Sequence, residues 1–244
     1  MMKSIIIVLI ALATLANAYY LEYEKVRLVD HTPVLSNGHT NYLFRGNEPK
    51  IAVHGQDEFA YDELVEYMRN VSKADGVIMP EQFLIYDIKL IYGVAEEMAD
   101  VHLEQWYFGN NTDHGMFAIN ITLGDITNPK DISKTLRDSM AKTLPDWQKD
   151  DLPSRMAMYR DILYTPYDLP IALYIHCECG CDRTGEVFAS YVMKYLGWDY
   201  KKAMEWDDQV AGRPILPNHQ WSVQWYCLYL SLGEKMNIDC TGAY

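Results

Sequence analysis

Positive charge is scarce in this chain. Against 34 aspartates and glutamates stand 21 lysines and arginines, a formal net charge of −13. Such a surface repels nucleic acid and anionic lipid head groups, so neither is an expected partner. Long apolar runs are scarce too: past residue 18 nothing approaches the roughly 20 apolar residues that a spanning helix needs. Cysteines number five, and three of them, Cys177, Cys179 and Cys181, alternate as C-x-C-x-C. Mononuclear zinc sites use wider spacing, with about two to four residues between paired cysteines, so the pattern argues against a metal, and no metal or organic cofactor is expected. What is present is a chain of 244 residues, 49% hydrophobic, which suits one α/β domain with a single core.

The early apolar run reads as an address. Lys3 precedes Ile5 to Leu15, and Ala16-Asn17-Ala18 has the small-residue form of a cleavage site. Residues 1 to 18 are therefore expected to be a secretory signal peptide and residues 19 to 244 the mature domain, secreted or lumenal. The acidic composition also suits an endolysosomal vacuole. Disulfides persist in such compartments. If Cys177 stays reduced, Cys179, Cys181, Cys227 and Cys240 remain, and Cys227 with Cys240 is the expected bridge. A bridge to Cys177 would be a reversible off-switch. Glycosylation sequons begin at Asn70, Asn110 and Asn120, the last inside an apparent core strand.

The chemistry concentrates between residues 171 and 196. Ile-Ala-Leu-Tyr-Ile is a buried strand by its apolar, β-branched and aromatic content. Val187, Phe188, Tyr191, Val192 and Tyr195 recur at helical spacing. Between them lies His176-Cys177-Glu178-Cys179-Gly180-Cys181-Asp182-Arg183-Thr184-Gly185. A loop that opens a helix turns backbone N–H groups inward, and the helix N-terminus adds positive potential, so the segment Glu178 to Arg183 is a candidate phosphate cradle. Gly180 permits a sharp bend, and Gly185 permits close helix packing. Arg183 offers a planar fork for two phosphate oxygens. Cys177 is the candidate nucleophile, activated because the groups that bind phosphate also stabilise a thiolate. His176 is expected to orient the loop backbone, and Thr184 to donate a hydrogen bond to the departing sulfur.

The run His176-Cys177-x5-Arg183-Thr184-Gly185 resembles the signature of the cysteine-dependent protein tyrosine and dual-specificity phosphatases. Tyr42-Leu43-Phe44-Arg45-Gly46-Asn47-Glu48-Pro49 is similar to the phrase that opens many dual-specificity domains. The resemblance implies an α/β fold with a mostly parallel central sheet flanked by helices, and hydrolysis of phosphomonoesters through a cysteinyl-phosphate. Protein phosphotyrosine or dual-specificity substrates come first. The alternatives are a phosphoinositide or inositol phosphate, and a secreted phosphate-binding module without turnover. Lipid-directed relatives often carry lysines in the loop, whereas Glu178 and Asp182 here repel extra phosphates.

Such chemistry needs a proton for the leaving group. Asp146, in Leu144-Pro145-Asp146-Trp147 and 31 positions before Cys177, resembles the acid of the mobile loop of tyrosine phosphatases and ranks first. Asp182 ranks second, by likeness to myotubularin-type loops, and Asp125, at a strand end, third. Gln209, Gln220 and Gln224 are candidates to orient the hydrolytic water, and Arg213 reads as a structural ion pair. Residues 82 to 107 mix strand and helix signals and carry no assigned function.

Overall fold

The computed structural model describes residues 20–243. The expected leader, 1 to 18, lies outside them. In chain order the elements are β1 (Arg27–His31), β2 (Tyr42–Gly46), β3 (Lys50–Val53), β4 (Gln56–Phe59), α1 (Tyr61–Ala74), β5 (Leu84–Ile91), α2 (Met98–Asn110) and β6 (Gly115–Ile121). There follow α3 (Lys134–Lys142), α4 (Leu144–Trp147), α5 (Leu152–Tyr164), β7 (Ile171–His176), α6 (Asp182–Tyr195), α7 (Tyr200–Ala211) and α8 (Pro217–Leu232).

Five strands form one sheet in the order β1-β2-β7-β5-β6, and β3 with β4 makes a separate hairpin. Only β1 runs antiparallel; β2, β7, β5 and β6 are parallel. The α/β class with a mostly parallel sheet is therefore as expected. β7, entered last, slots between β2 and β5, in register Gly46↔His176 and Lys89↔His176. All six of its residues are buried, which explains its unbroken apolar character.

Strand alternation divides the core in two. Leu43, Ile88, Leu90, Leu173 and Ile175 face α5, α6 and α8, packing on Met156, Tyr159, Val187, Phe188 and Trp225. Tyr42, Phe44, Ile85, Ala172 and Tyr174 face the other way, onto Leu64 and Met68 of α1 and Phe108 of α2. Each fully buried side chain of this kind contributes about 1.5–3 kcal/mol. Helices on both faces leave the carboxyl ends of the parallel strands as the open edge, where ligands bind in such sheets.

Residues 82 to 107 resolve into β5, a short 3₁₀ turn at Ala95–Glu97, and α2. The stretch expected as a mobile acid loop is instead the helix α4. Pro145 sits in its first turn, where the missing N–H costs nothing. The Trp147 indole N–H donates to the Met140 carbonyl at 2.9 Å, and its ring meets Trp225 edge-on at 5.2 Å. Cys227 and Cys240 are joined, tying α8 to the tail. Among the described residues no helix is long and apolar enough to cross a membrane.

Candidate active site

β7 delivers His176 and Cys177 to the carboxyl edge, and α6 begins at Asp182. Cys177 is the free cysteine, 2% exposed. The Thr184 hydroxyl donates to its sulfur at 3.1 Å, so the first turn of α6 closes over the thiol. Gly180, at φ +65°, turns its N–H onto the Cys177 carbonyl at 3.2 Å. Gly185 N–H opens the helix on the Cys181 carbonyl at 2.6 Å. The N–H groups of Cys179, Cys181, Asp182 and Arg183 have no backbone acceptor among the described residues. They lie at the N-terminus of α6, where backbone N–H groups and the helix end favour an anion.

Arg183 is held on three sides. Its Nη1 donates to the Leu90 carbonyl at 2.8 Å and pairs with Glu97, and its guanidinium lies 4.3 Å from the Tyr92 ring centre. Glu97 in turn accepts from the N–H groups of Tyr92 at 2.8 Å and Gly93 at 2.9 Å. Burial opposes the charge on Arg183, yet the neighbouring Cys177 and Glu97 hold its pKa above the ordinary value. The guanidinium is thus fixed by its neighbours. Tyr92 also meets His219 Nε2 at 2.8 Å, and His219 Nδ1 meets Glu186 at 2.6 Å. Burial lifts the Glu186 carboxyl well above its usual range and pulls His219 down to about 4.

Beneath the loop lies a buried ionic network. His176 Nε2 is 3.0 Å from Asp87 and 3.1 Å from Glu104, and Lys89 pairs with Glu104 at 2.7 Å and with Glu48. All five side chains are essentially inaccessible. Burial alone would neutralise His176, but Glu104 and Asp87 hold it up at about 10. Burial and the adjoining Glu104 push Glu48 up to about 8. Glu48, Glu104 and His176 converge closely enough for a metal, but the Lys89 ammonium already fills the gap between the two carboxylates. From the other side Arg45, paired with Asp207, donates to the Gly180 carbonyl at 3.1 Å. A β-carbon on Gly185 would stand 2.1 Å from Asp207, which is why glycine is needed there.

The structure therefore brings His176, Cys177, Glu178, Cys179, Gly180, Cys181, Asp182, Arg183 and Thr184 together in one loop and helix start. It does not bring Asp146 to them. That side chain is exposed on α4, which packs on α5 and α8. Asp182 is bound by both terminal nitrogens of Arg213, at 2.8 and 2.7 Å, and accepts from Leu216 N–H at 2.7 Å. These bonds outweigh burial and hold its carboxyl below the usual range. Asp125 follows β6 at the same open edge. Its N–H donates to the Asn218 carbonyl at 2.9 Å, and its carboxylate accepts from Gln148 at 2.8 Å. Burial lifts it to about 6 against that hydrogen bond. Gln209 is exposed, Gln220 is tied to the Ile215 carbonyl, and Gln224 is buried in α8. Sequence reasoning missed Tyr92, Glu97 and the network below His176. One legible signal was Asp87 and Lys89, two charges on the same face of the otherwise apolar Leu84–Ile91.

No family model matches the chain. It is similar to the O-acetyltransferase OatA of Staphylococcus aureus strains NCTC 8325 / PS 47, COL and MRSA252, 28% identical over 122 residues in each case. That match covers 48% of this chain and 20% of the relative. The chain thus spans about a fifth of the length of these curated relatives.

Proposed function

We propose that this protein hydrolyses phosphomonoesters in two steps through a phosphocysteine at Cys177. Protein phosphotyrosine or dual-specificity substrates are the first class. The observation that carries the reading is a free, buried thiol at the end of the central strand, bonded by Thr184 at 3.1 Å, with Arg183 prealigned in the same helical turn. The Cys177 thiolate attacks phosphorus, the P–O ester bond breaks, and the departing oxygen takes a proton from a carboxylic acid. Water then attacks phosphorus while giving a proton back to the carboxylate left by the first step, the P–S bond breaks, and the thiolate is received by the Thr184 hydroxyl. Arg183 and the loop N–H groups hold the equatorial oxygens throughout, a stabilisation that needs no reorganisation.

Asp125 is the acid in this proposal. It stands at the carboxyl edge with its N–H on the Asn218 carbonyl, next to His219, which meets the Tyr92 beside Arg183, and a carboxyl raised to about 6 retains a proton where ordinary aspartates have lost it. Asp182 is a weaker choice because Arg213 keeps it ionised, and Asp146 because its helix faces solvent elsewhere. Inositol polyphosphates are disfavoured by Glu178 and Asp182 in the loop. An acyl-transfer role, suggested by the acetyltransferase match, lacks a serine activated by histidine at this site. Ser222 donates instead to Glu186 at 2.8 Å, and His219 is engaged by Glu186 and Tyr92.

The test uses the purified protein with an aryl phosphate, with reductant and without added metal, followed by phosphopeptide and phosphoinositide panels. Cys177→Ser should lose all turnover while still binding inorganic phosphate, because the loop N–H groups and Arg183 remain. Full activity in that variant would refute covalent transfer, and phosphate binding without turnover in the wild type would leave a binding module.

A further inference from the structure

Cys179 and Cys181 form a disulfide across Gly180, inside the loop that frames Cys177. Their two sulfurs are unlike. Cys179 is half-buried, whereas Cys181 is 1% exposed. Cys181 occupies the N-terminal cap of α6, and Lys25 Nζ lies 3.9 Å from its sulfur. Lys25 is fixed there by the carbonyls of Val210 at 3.0 Å and Ala211 at 2.6 Å. A thiol leaves a disulfide faster when its thiolate is better stabilised, and a helix N-terminus and an ammonium both do this for Cys181. The accessible sulfur is therefore the one an incoming thiol reaches, and the buried sulfur is the one that departs.

The bridge also spans a hydrogen-bonded turn of the loop. It closes around the turn in which Gly180 N–H points at the Cys177 carbonyl, and Arg45 pins the Gly180 carbonyl. In this turn that N–H is spent on the Cys177 carbonyl.

We propose that the Cys179–Cys181 disulfide is a thiol-exchange site that latches the phosphate loop, opened by attack of a small thiol on Cys179 with Cys181 leaving beside Lys25. In the first step the thiolate forms a bond to Cys179 Sγ, the Cys179–Cys181 bond breaks, and its electron pair goes to Cys181. A second thiolate then attacks the sulfur of the mixed disulfide and expels the Cys179 thiolate. Two small thiols are oxidised to one disulfide, and both cysteines are reduced. Opening returns the Gly180 N–H to the cradle and tightens phosphate binding. This latch rests on the phosphate-cradle reading given above.

The experiment uses the full chain carrying Cys177→Ser, which cannot join the exchange. Glutathione is added, free thiols are trapped with iodoacetamide at graded times, and the adducts are mapped by mass spectrometry. Inorganic phosphate binding is measured by calorimetry before and after full reduction with dithiothreitol. Glutathione should appear on Cys179 and the trap on Cys181. Lys25→Met should slow opening at least about threefold, and Lys25→Arg should restore the rate. Phosphate should bind at least about threefold more tightly once the bridge is open, consistent with one added N–H donor. Adding Cys179→Ser and Cys181→Ser should give the tight form and abolish the response to dithiothreitol. Glutathione on Cys181, or opening indifferent to Lys25, overturns the exchange. Equal phosphate binding in both states sinks the latch alone, whereas no binding in either state sinks the phosphoryl-transfer reading and the latch with it.

Discussion

Asp125→Asn removes a proton donor while preserving its shape, since the amide oxygen can still accept from Gln148. The size of the effect follows from two quantities. Burial lifts Asp125 to about 6, so roughly nine-tenths of molecules carry the proton at pH 5 and roughly a tenth at pH 7. A positioned acid is worth about 10² to 10⁴-fold, or about 3 to 5 kcal/mol of barrier. On phosphotyrosine at pH 5 the variant should therefore lose kcat/KM within that range. By pH 8 the loss should be much smaller, because the wild type has itself given up roughly 99% of its acid form. A nitrophenyl phosphate, whose leaving group needs little protonation, should lose less than about tenfold at any pH. The assay is kcat/KM for both substrates from pH 4.5 to 8.5, in wild type, Asp125→Asn, Asp146→Asn and Asp182→Asn. An equal loss on both leaving groups would refute the acid role of Asp125. A leaving-group-dependent loss confined to Asp146→Asn would show that α4 moves to the loop during turnover.

Arg183→Lys keeps one charge but cannot reproduce the contacts to Leu90, Glu97 and two phosphate oxygens, so kcat/KM should fall about 10² to 10³-fold. Recovery above a tenth of wild-type activity would contradict the bidentate role. The network under the loop should make stability fall with alkalinity. His176, about 10 when folded against its ordinary 6.5, contributes stability that is whole below pH 6.5 and lost as pH rises through about 10. Glu48, about 8 against 4.5, retains its proton in the folded state and acts with the same sign between those values. Urea unfolding should therefore show a negative slope from pH 6.5 to 10, up to about 1.4 kcal/mol per pH unit for each proton. Glu104→Gln should cost about 3 kcal/mol near pH 6 and flatten that slope, and an unchanged slope would argue against a charged His176. Gly185→Ala drives a methyl group to 2.1 Å from Asp207 at the Arg45 pair, and should cost about 1–3 kcal/mol by urea unfolding. A neutral result there would mean that α6 and α7 part without penalty.

Local sequence by itself determined the strand, loop and helix between residues 171 and 196, because the apolar β-branched and aromatic run, the period of 3.6 and the loop residues act over a few positions. The composition of β7 also announced a buried strand, and all six of its residues are buried. Only the tertiary structure decided what surrounds the loop. Glu97 reaches Arg183 across 86 positions and Glu104 reaches His176 across 72, distances over which no local pattern operates. The placement of the candidate acids shows the same divide. Counting back from Cys177 ranks Asp146 first, but α3, α4 and α5 intervene between β6 and β7, and chain distance says nothing of which residue emerges at the carboxyl edge of the sheet. Strand order puts Asp125 there, because β6 runs parallel to β5 and β5 is the neighbour of β7. Of the cysteine pairings, the sequence favoured Cys227 with Cys240, which the fold joins, whereas that of Cys179 with Cys181 was left open there and only the fold decided it.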